Sequence, residues 1–165
     1  MPEKIVIELA NLNDIPRLIE IYQKAKGFMR KTGNLYQWGE GYPDSFDLLA
    51  KDIENNHLYV VKENGVVHGV FAFILGEDPT YQIIEGGEWL SFSPYGTIHR
   101  IASDGTIHRM MDKAVSFCWG KMPHLRVDTH PDNKVMREAI LRNGFVYRGI
   151  IYLKNGEQRL AFEKI

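Results

Sequence analysis

Cysteine is almost missing from this chain: Cys118 stands alone among 165 residues. A single thiol forms no disulfide within the chain, and no cysteine-based metal site can be built around it. The reducing cytoplasm is therefore the expected compartment. Long apolar runs are also missing. The longest, such as Val70 to Leu75, are strand-sized, whereas a membrane span needs roughly 18–20 apolar residues. An excess of one charge sign is missing too, with 20 Lys and Arg against 21 Asp and Glu. No basic block stands out, so neither nucleic acid nor anionic lipid is an expected partner. The opening residues Met-Pro-Glu-Lys-Ile-Val lack the apolar stretch after a basic start that marks a signal peptide. His57, His68, His99, His108, His124 and His130 show no HExxH or similar ligand spacing, so no metal is expected. GxGxxG and P-loop patterns are absent as well, which sets aside a nucleotide-binding domain.

What is present is an ordinary globular composition, 44% hydrophobic and 25% charged. The length fits one domain, residues 1–165. Lys4 to Leu9 is short and β-branched, and reads as a strand. Asn11 to Asp14 offers N-cap chemistry for a helix whose apolar positions are Ile15, Leu18, Ile19, Tyr22 and Ala25. Asn34 to Pro43 is a loop rich in glycine and aromatics. Asp44 or Ser45 caps a second helix bearing Phe46, Leu49 and Ile53.

Leu58 to Val61 and Val66 to Leu75 form a hairpin about Asn64-Gly65. Glu88 to Ala102 reads as one extended segment, interrupted at Pro94. Ile107 to Trp119 is helical, with Ile107, Met110, Met111, Ala114, Val115 and Cys118 on its apolar stripe. Leu125 to Thr129 is a strand, and Pro131 to Asn133 starts a helix that Gly144 ends. Phe145 to Leu153 and Arg159 to Phe162 are strands joined by a turn at Asn155-Gly156. The order β-α-α-β-β-β-α-β-α-β-β gives an α/β fold: a mixed, mostly antiparallel sheet flanked by helices. The strand–helix–strand unit from Thr97 to Thr129 should be its parallel crossover.

The segments YGTIHRIAS and LRVDTHPDNKVMREAILRNGFVYRGIIYL, with the spacing DTHPDN…NGF…G, resemble the GCN5-related N-acetyltransferase (GNAT) superfamily. The loop QWGEGYP, Gln37 to Pro43, resembles a bacterial subgroup of small members. The resemblance implies a GNAT fold and direct transfer of acetyl from acetyl-CoA to an amine. It also implies a pantetheine arm lying between two splayed parallel strands, here His99, Ile101, Ala102 and Ser103 facing Arg126 to Thr129. The loop and helix start, Thr106, Ile107, His108, Arg109, Met110 and Met111, would then face the pyrophosphate. Free amides and a helix dipole suit that anion. The family's Arg/Gln-x-x-Gly-x-Gly/Ala pattern is broken here, because Arg109 and Met111 occupy both small positions. Backbone donors remain, and Arg109 or His108 can add a charged one. Asn133, with Met136 beside it, would touch the pantetheine arm; a plain helix cap is the competing reading. A homodimer is the family habit.

The tyrosine that many members use as an acid aligns with Ile140 here, so Tyr152 and Tyr147 on the next strand are the substitutes, against a packing role. His130 ends the parallel strand, where ligands bind in open α/β sheets, and can shuttle protons or merely hold its turn. His99 can relay a proton or sit in the core. Gln37, Trp38 and Tyr42 would roof the acceptor site or plug the core, while Glu88, like Glu85, is a base candidate or a solvated loop acid. Cys118, on an apolar stripe, reads as a buried structural thiol. Two functions stand: an N-acetyltransferase, and an acyl-CoA-binding module without turnover.

Overall fold

The computed structural model describes residues 4–165. Its seven-stranded sheet has the spatial order β1-β2-β3-β4-β5-β7-β6. The strands are β1 Ile5–Leu9, β2 Leu58–Glu63, β3 Val66–Leu75, β4 Gly96–Ser103, β5 Leu125–Thr129, β6 Val146–Tyr152 and β7 Gln158–Lys164. The helices are α1 Ile15–Lys31, α2 Phe46–Glu54, α3 Met110–Lys121 and α4 Lys134–Arg142. Only β4 and β5 run parallel, joined through α3. This is the mixed α/β architecture expected from the element order.

Local chemistry explains the boundaries. Asn11 and Asp14 form a reciprocal capping box ahead of α1, and Pro16 occupies its first turn. Ser45, not Asp44, caps α2 by accepting from Leu48 N. Gly144 takes φ +86° after α4, a left-handed position that glycine fills without Cβ strain. Several strand and helix ends shift by a few residues from expectation, and two differences bear on the site. α3 starts at Met110 rather than Ile107, because Arg109 adopts φ +54° and interrupts the helical path. The segment before Gly96 is a packed loop rather than a strand. Trp89 turns inward there, and its Nε1 donates to Tyr81 O at 2.8 Å.

The sheet separates three apolar clusters. One face packs Phe71, Phe73, Ile98 and Val127 against α3 and α4. The opposite face carries α1 and α2 over Val60, Val70 and Ala102. Farther along, Tyr81, Trp89 and Tyr95 cover Ile151 and Ala161. A polar network anchors this last cluster. Glu163, with a side chain 0% exposed, accepts from Leu90 N at 2.8 Å, His124 Nε2 at 2.6 Å and Arg148 Nε at 3.1 Å. The Arg126 guanidinium lies 4.0 Å from the centroids of both Trp89 and Tyr95. Cation–π contact thus fastens the loop before β4 to β5.

Candidate active site

The parallel pair opens almost at once. β4 and β5 match at Gly96↔Leu125 and Thr97↔Arg126 and no further. Beyond those pairs β4 stays bonded to β3, and β5 to β7. The facing edges are thereby left without a strand partner. A bulge sharpens the opening: three residues of β3, Val70 to Ala72, oppose four of β4, His99 to Ala102. Arg100 absorbs the extra length at φ +51°. Its carbonyl accepts from Tyr22 Oη at 2.7 Å, and its guanidinium pairs with Asp52 at 2.7 Å.

Two cavities meet at this opening. The first, about 380 Å³, lies between α1, the end of β4 and the starts of α3 and α4. Ile101, Ala102, Ser103, Arg109, Met110, Met111, Asn133 and Met136 all line it. Its floor turns at Gly105, φ +91°. Asp104 shapes that turn: its Oδ1 accepts from Thr106 N at 2.9 Å, while its Oδ2 meets Arg17 and His68. No side chain caps α3, so the amides of Met110, Met111 and Asp112 have no intrahelical acceptor.

The second cavity, about 750 Å³, contains His99, Asp78, Asp128, Arg159 and the aromatic loop. Met29, Ile101, Met111 and Met136 line both cavities, so the two lie side by side. His99 Nε2 lies 3.1 Å from Asp78 Oδ2. Burial raises the Asp78 pKa, but hydrogen bonds from His99 and Thr80 outweigh it and leave it at about 2. An ionised carboxylate only accepts, so Nε2 is the donor and neutral His99 keeps its lone pair on Nδ1. Tyr81 donates to Asp128 Oδ2 at 2.6 Å; burial first, then Asp128, pushes the phenol well above its ordinary value.

An acetyltransferase of the GNAT family from Streptococcus agalactiae is 31% identical over 98% of this chain and 95% of its own, with a TM-score of 0.85. The chain belongs to the GNAT family of acetyltransferases. More distant structures share the fold. An acetyltransferase of Salmonella typhimurium, solved with its cofactor acetyl-CoA, is 16% identical over 96% of this chain and 92% of its own, at a TM-score of 0.64. A ribosomal-protein-alanine N-acetyltransferase of Brucella melitensis is 19% identical over 97% of this chain and 99% of its own, at 0.64. No protein-family model and no curated protein matches the chain.

In this GNAT chain the aromatic loop is firmly held, and it also walls the second cavity. Gln37 Oε1 accepts from Asn133 Nδ2 at 2.8 Å and Asn34 Nδ2 at 3.0 Å. Trp38 packs edge-on to Tyr22, with centroids 5.7 Å apart. Lys26 ties down Gly39 O and Asp44. Tyr42 remains 40% exposed at the cavity rim. The segment that packs on Tyr22 thus also lines the second cavity. Asn133 likewise does two jobs: its Oδ1 caps α4 through Met136 N at 3.0 Å while Nδ2 holds Gln37. One amide hydrogen is left for a ligand.

Other candidates lie elsewhere. Ile107 is buried in the core beside α3, so only its backbone can face a ligand. Thr106 and His108 are exposed and outside both cavity walls. His130 also lies outside them; Nδ1 accepts from Asp132 N at 3.0 Å. Burial and then Arg159 hold its pKa below the ordinary value. Tyr152 donates to Glu85 Oε2 at 2.8 Å on the outer surface, and Glu88 is an exposed loop residue outside the walls. Cys118 is buried, its thiol pushed up to about 12 by burial. Among the described residues no helix is long and apolar enough to cross a membrane, and no group of three or more His, Cys, Asp or Glu could hold a metal. Asp78, Asp128 and Asp104 escaped sequence reasoning. For Asp128 a signal existed, since strand alternation places it on the face of Arg126, opposite Val127.

Asp78 and Asp104 also contribute to acid stability. Asp104, despite its burial, is lowered by His68 and Thr106 to about 2, matching Asp78. Both folded values lie below the ordinary 3.8, so protonation favours the unfolded chain. Their contribution is full above about pH 5 and is lost as pH falls towards 2. Urea midpoints should therefore drop between pH 5 and pH 3, and Asp78→Asn with Asp104→Asn should flatten that drop.

Proposed function

We propose that residues 1–165 act as one acetyl-CoA-dependent N-acetyltransferase domain, passing acetyl directly to an amine. The observation that carries this reading is the opening of β4 from β5 after two paired residues, with a groove on one side and a His99-bearing cavity on the other. The residues present fit the cosubstrate. The unpaired edge of β4 offers backbone partners to an amide-containing arm, and Met110, Met111 and Met136 supply apolar wall. The free amides at the start of α3 and the half-exposed Arg109 suit a diphosphate. The Salmonella neighbour of the same fold was solved with acetyl-CoA, which supports that molecule as the cosubstrate. The loop sequence QWGEGYP, Gln37 to Pro43, supports the reading that the chain is of the small bacterial type it resembles.

Acetyl-CoA supplies an acetyl group activated as a thioester. The chain's own residues do the rest. Asp78 holds the proton on His99 Nε2, so that Nδ1 faces its task as a base. Trp38, Tyr42 and Met136 line the opening with apolar surface. Of the catalytic candidates His99, His130 and Tyr152, His99 serves as the proton acceptor, because His130 and Tyr152 lie outside the cavity walls.

Acetyl-CoA at about 100 times its Kd should stabilise the protein by about 2.7 kcal/mol, raising Tm by roughly 5–10 °C. Arg109→Glu should weaken that binding about tenfold, through loss of a charge-assisted contact. Release of free thiol with a panel of primary amines then tests transfer. Lack of acetyl-CoA binding overturns the reading. Binding without thiol release on any amine supports an acyl-CoA-binding module, the reading favoured by Arg109 and Met111 at small-residue positions and by Ile140 in place of a tyrosine.

A further inference from the structure

We propose that Asp128 anchors the acceptor's ammonium group, so that the site selects primary amines that dock as cations. The inference rests on the acetyl-transfer reading above. Thr97 and Arg126 form the last pair of the parallel ladder. Two residues farther along each strand, His99 and Asp128 stand opposite one another across the opening. Tyr81 links them: its ring centroid is 6.3 Å from that of His99, and its hydroxyl holds Asp128 Oδ2 at 2.6 Å. Tyr81 is 1% exposed, so the carboxylate is fixed by a rigid group.

Charge accounting singles out Asp128. Around the cavity Asp78 has His99, Glu157 has Arg159, and Arg100 has Asp52. Among the described residues Asp128 forms no ion pair, and its hydrogen-bond partner is a neutral phenol. Lys154 also lines the cavity, but it is exposed on the turn between β6 and β7 and forms no ion pair with Asp128. A half-buried carboxylate without a cation carries a desolvation cost that an arriving ammonium removes. Tyr36, Trp38 and Tyr42 offer apolar surface for the carbon body of such an acceptor.

The chemistry needs that charge twice. An alkylamine arrives as R–NH3⁺, and Asp128 accepts one N–H while another points to His99 Nδ1. His99 takes that proton and leaves the nitrogen a free electron pair. The pair forms the bond to the thioester carbonyl carbon, and the C–S bond breaks. The sulfur departs with its electrons and takes the second proton from nitrogen, while the proton on His99 passes to solvent. The products are the N-acetyl amide, the free CoA thiol and one proton. The nitrogen is cationic on docking and becomes cationic again as the N–C bond forms, so Asp128 favours both stages.

Asp128→Asn keeps the shape and still accepts from Tyr81. It should lower kcat/KM about 30-fold for alkylamines, the loss of a hydrogen bond to a charged group, but only about threefold for a weakly basic aromatic amine that docks uncharged. Acetyl-CoA Kd should not change. Equal losses for both acceptor classes, or no loss, overturn the proposal. A second measurement uses the unaltered protein: a tertiary alkylammonium should compete with the acceptor about tenfold better than the alcohol of the same shape, and equal competition overturns the proposal too. An unaltered protein that binds acetyl-CoA but releases no thiol with any amine refutes the transfer reading and this inference together. Turnover unchanged by Asp128→Asn refutes this inference alone.

Discussion

His99→Asn should lower the rate of acetyl transfer by about two to four orders of magnitude, the range for a positioned general base, and leave acetyl-CoA binding intact. The split follows from the architecture. His99 lines the second cavity, whereas the groove assigned to the cosubstrate is built from α1, α3, α4 and the end of β4. Single-turnover thiol release beside calorimetric Kd separates the two quantities. Asp78→Asn should cost about tenfold, since it touches only the proton position on His99, and should shift the pH–rate profile. In the His99→Asn background the same change should add nothing, because groups acting as one unit are not additive. A full second loss there would mean that Asp78 supports the fold instead.

Glu163→Ala should destabilise the protein by about 3–5 kcal/mol, the cost of removing one partner from a buried charged network. For a chain of this length that is a fall in Tm of roughly 10 °C, at about 2–4 °C per kcal/mol. His124, Arg126 and Arg148 would be left without the carboxylate they share, and Leu90 N without its acceptor. The effect should reach function, because this network fastens the loop that also carries Asp78 and Tyr81. Burial raises the Glu163 pKa, but Leu90 N and His124 outweigh it and hold the folded value below 4.5. Its contribution is present above that pH and lost as pH falls. Glu163→Gln retains an acceptor for Leu90 N and should cost less. Thermal unfolding of both variants at pH 7 checks the order.

The legible parts of the chain were those decided by neighbours in sequence. The capping box at Asn11 and Asp14, the Ser45 cap, the Asn64-Gly65 hairpin turn and Gly144 all act within a few residues, and each is where local chemistry puts it. The apolar spacing of Ile107 predicts α3 three residues early, whereas Arg109 takes a left-handed turn ahead of the first helical residue. The loop from Glu88 was read as extended because Trp89, Leu90 and Phe92 resemble strand residues. Trp89 instead closes onto Tyr81, a contact no sequence period encodes.

For the site the division is sharper. Its wall residues Ile101, Ala102, Ser103, Arg109, Met110 and Met111 could be named because a family resemblance aligned them, and His99 because it sits in the same strand. Asp78 and Asp128 could not, since what makes them functional is a partner held or a partner missing.

Alternation, capping and turn chemistry in the sequence determined the order of strands and helices, and with it the single parallel crossover that makes an opening available. Only the tertiary structure decided how far that opening extends, that Asp78 meets His99 across 21 residues of chain, and that Asp128 faces the cavity without a counter-charge. The reason is physical: periodicity reports which face a residue takes, whereas the charge balance of a site is summed over side chains from distant segments that meet only when the core packs.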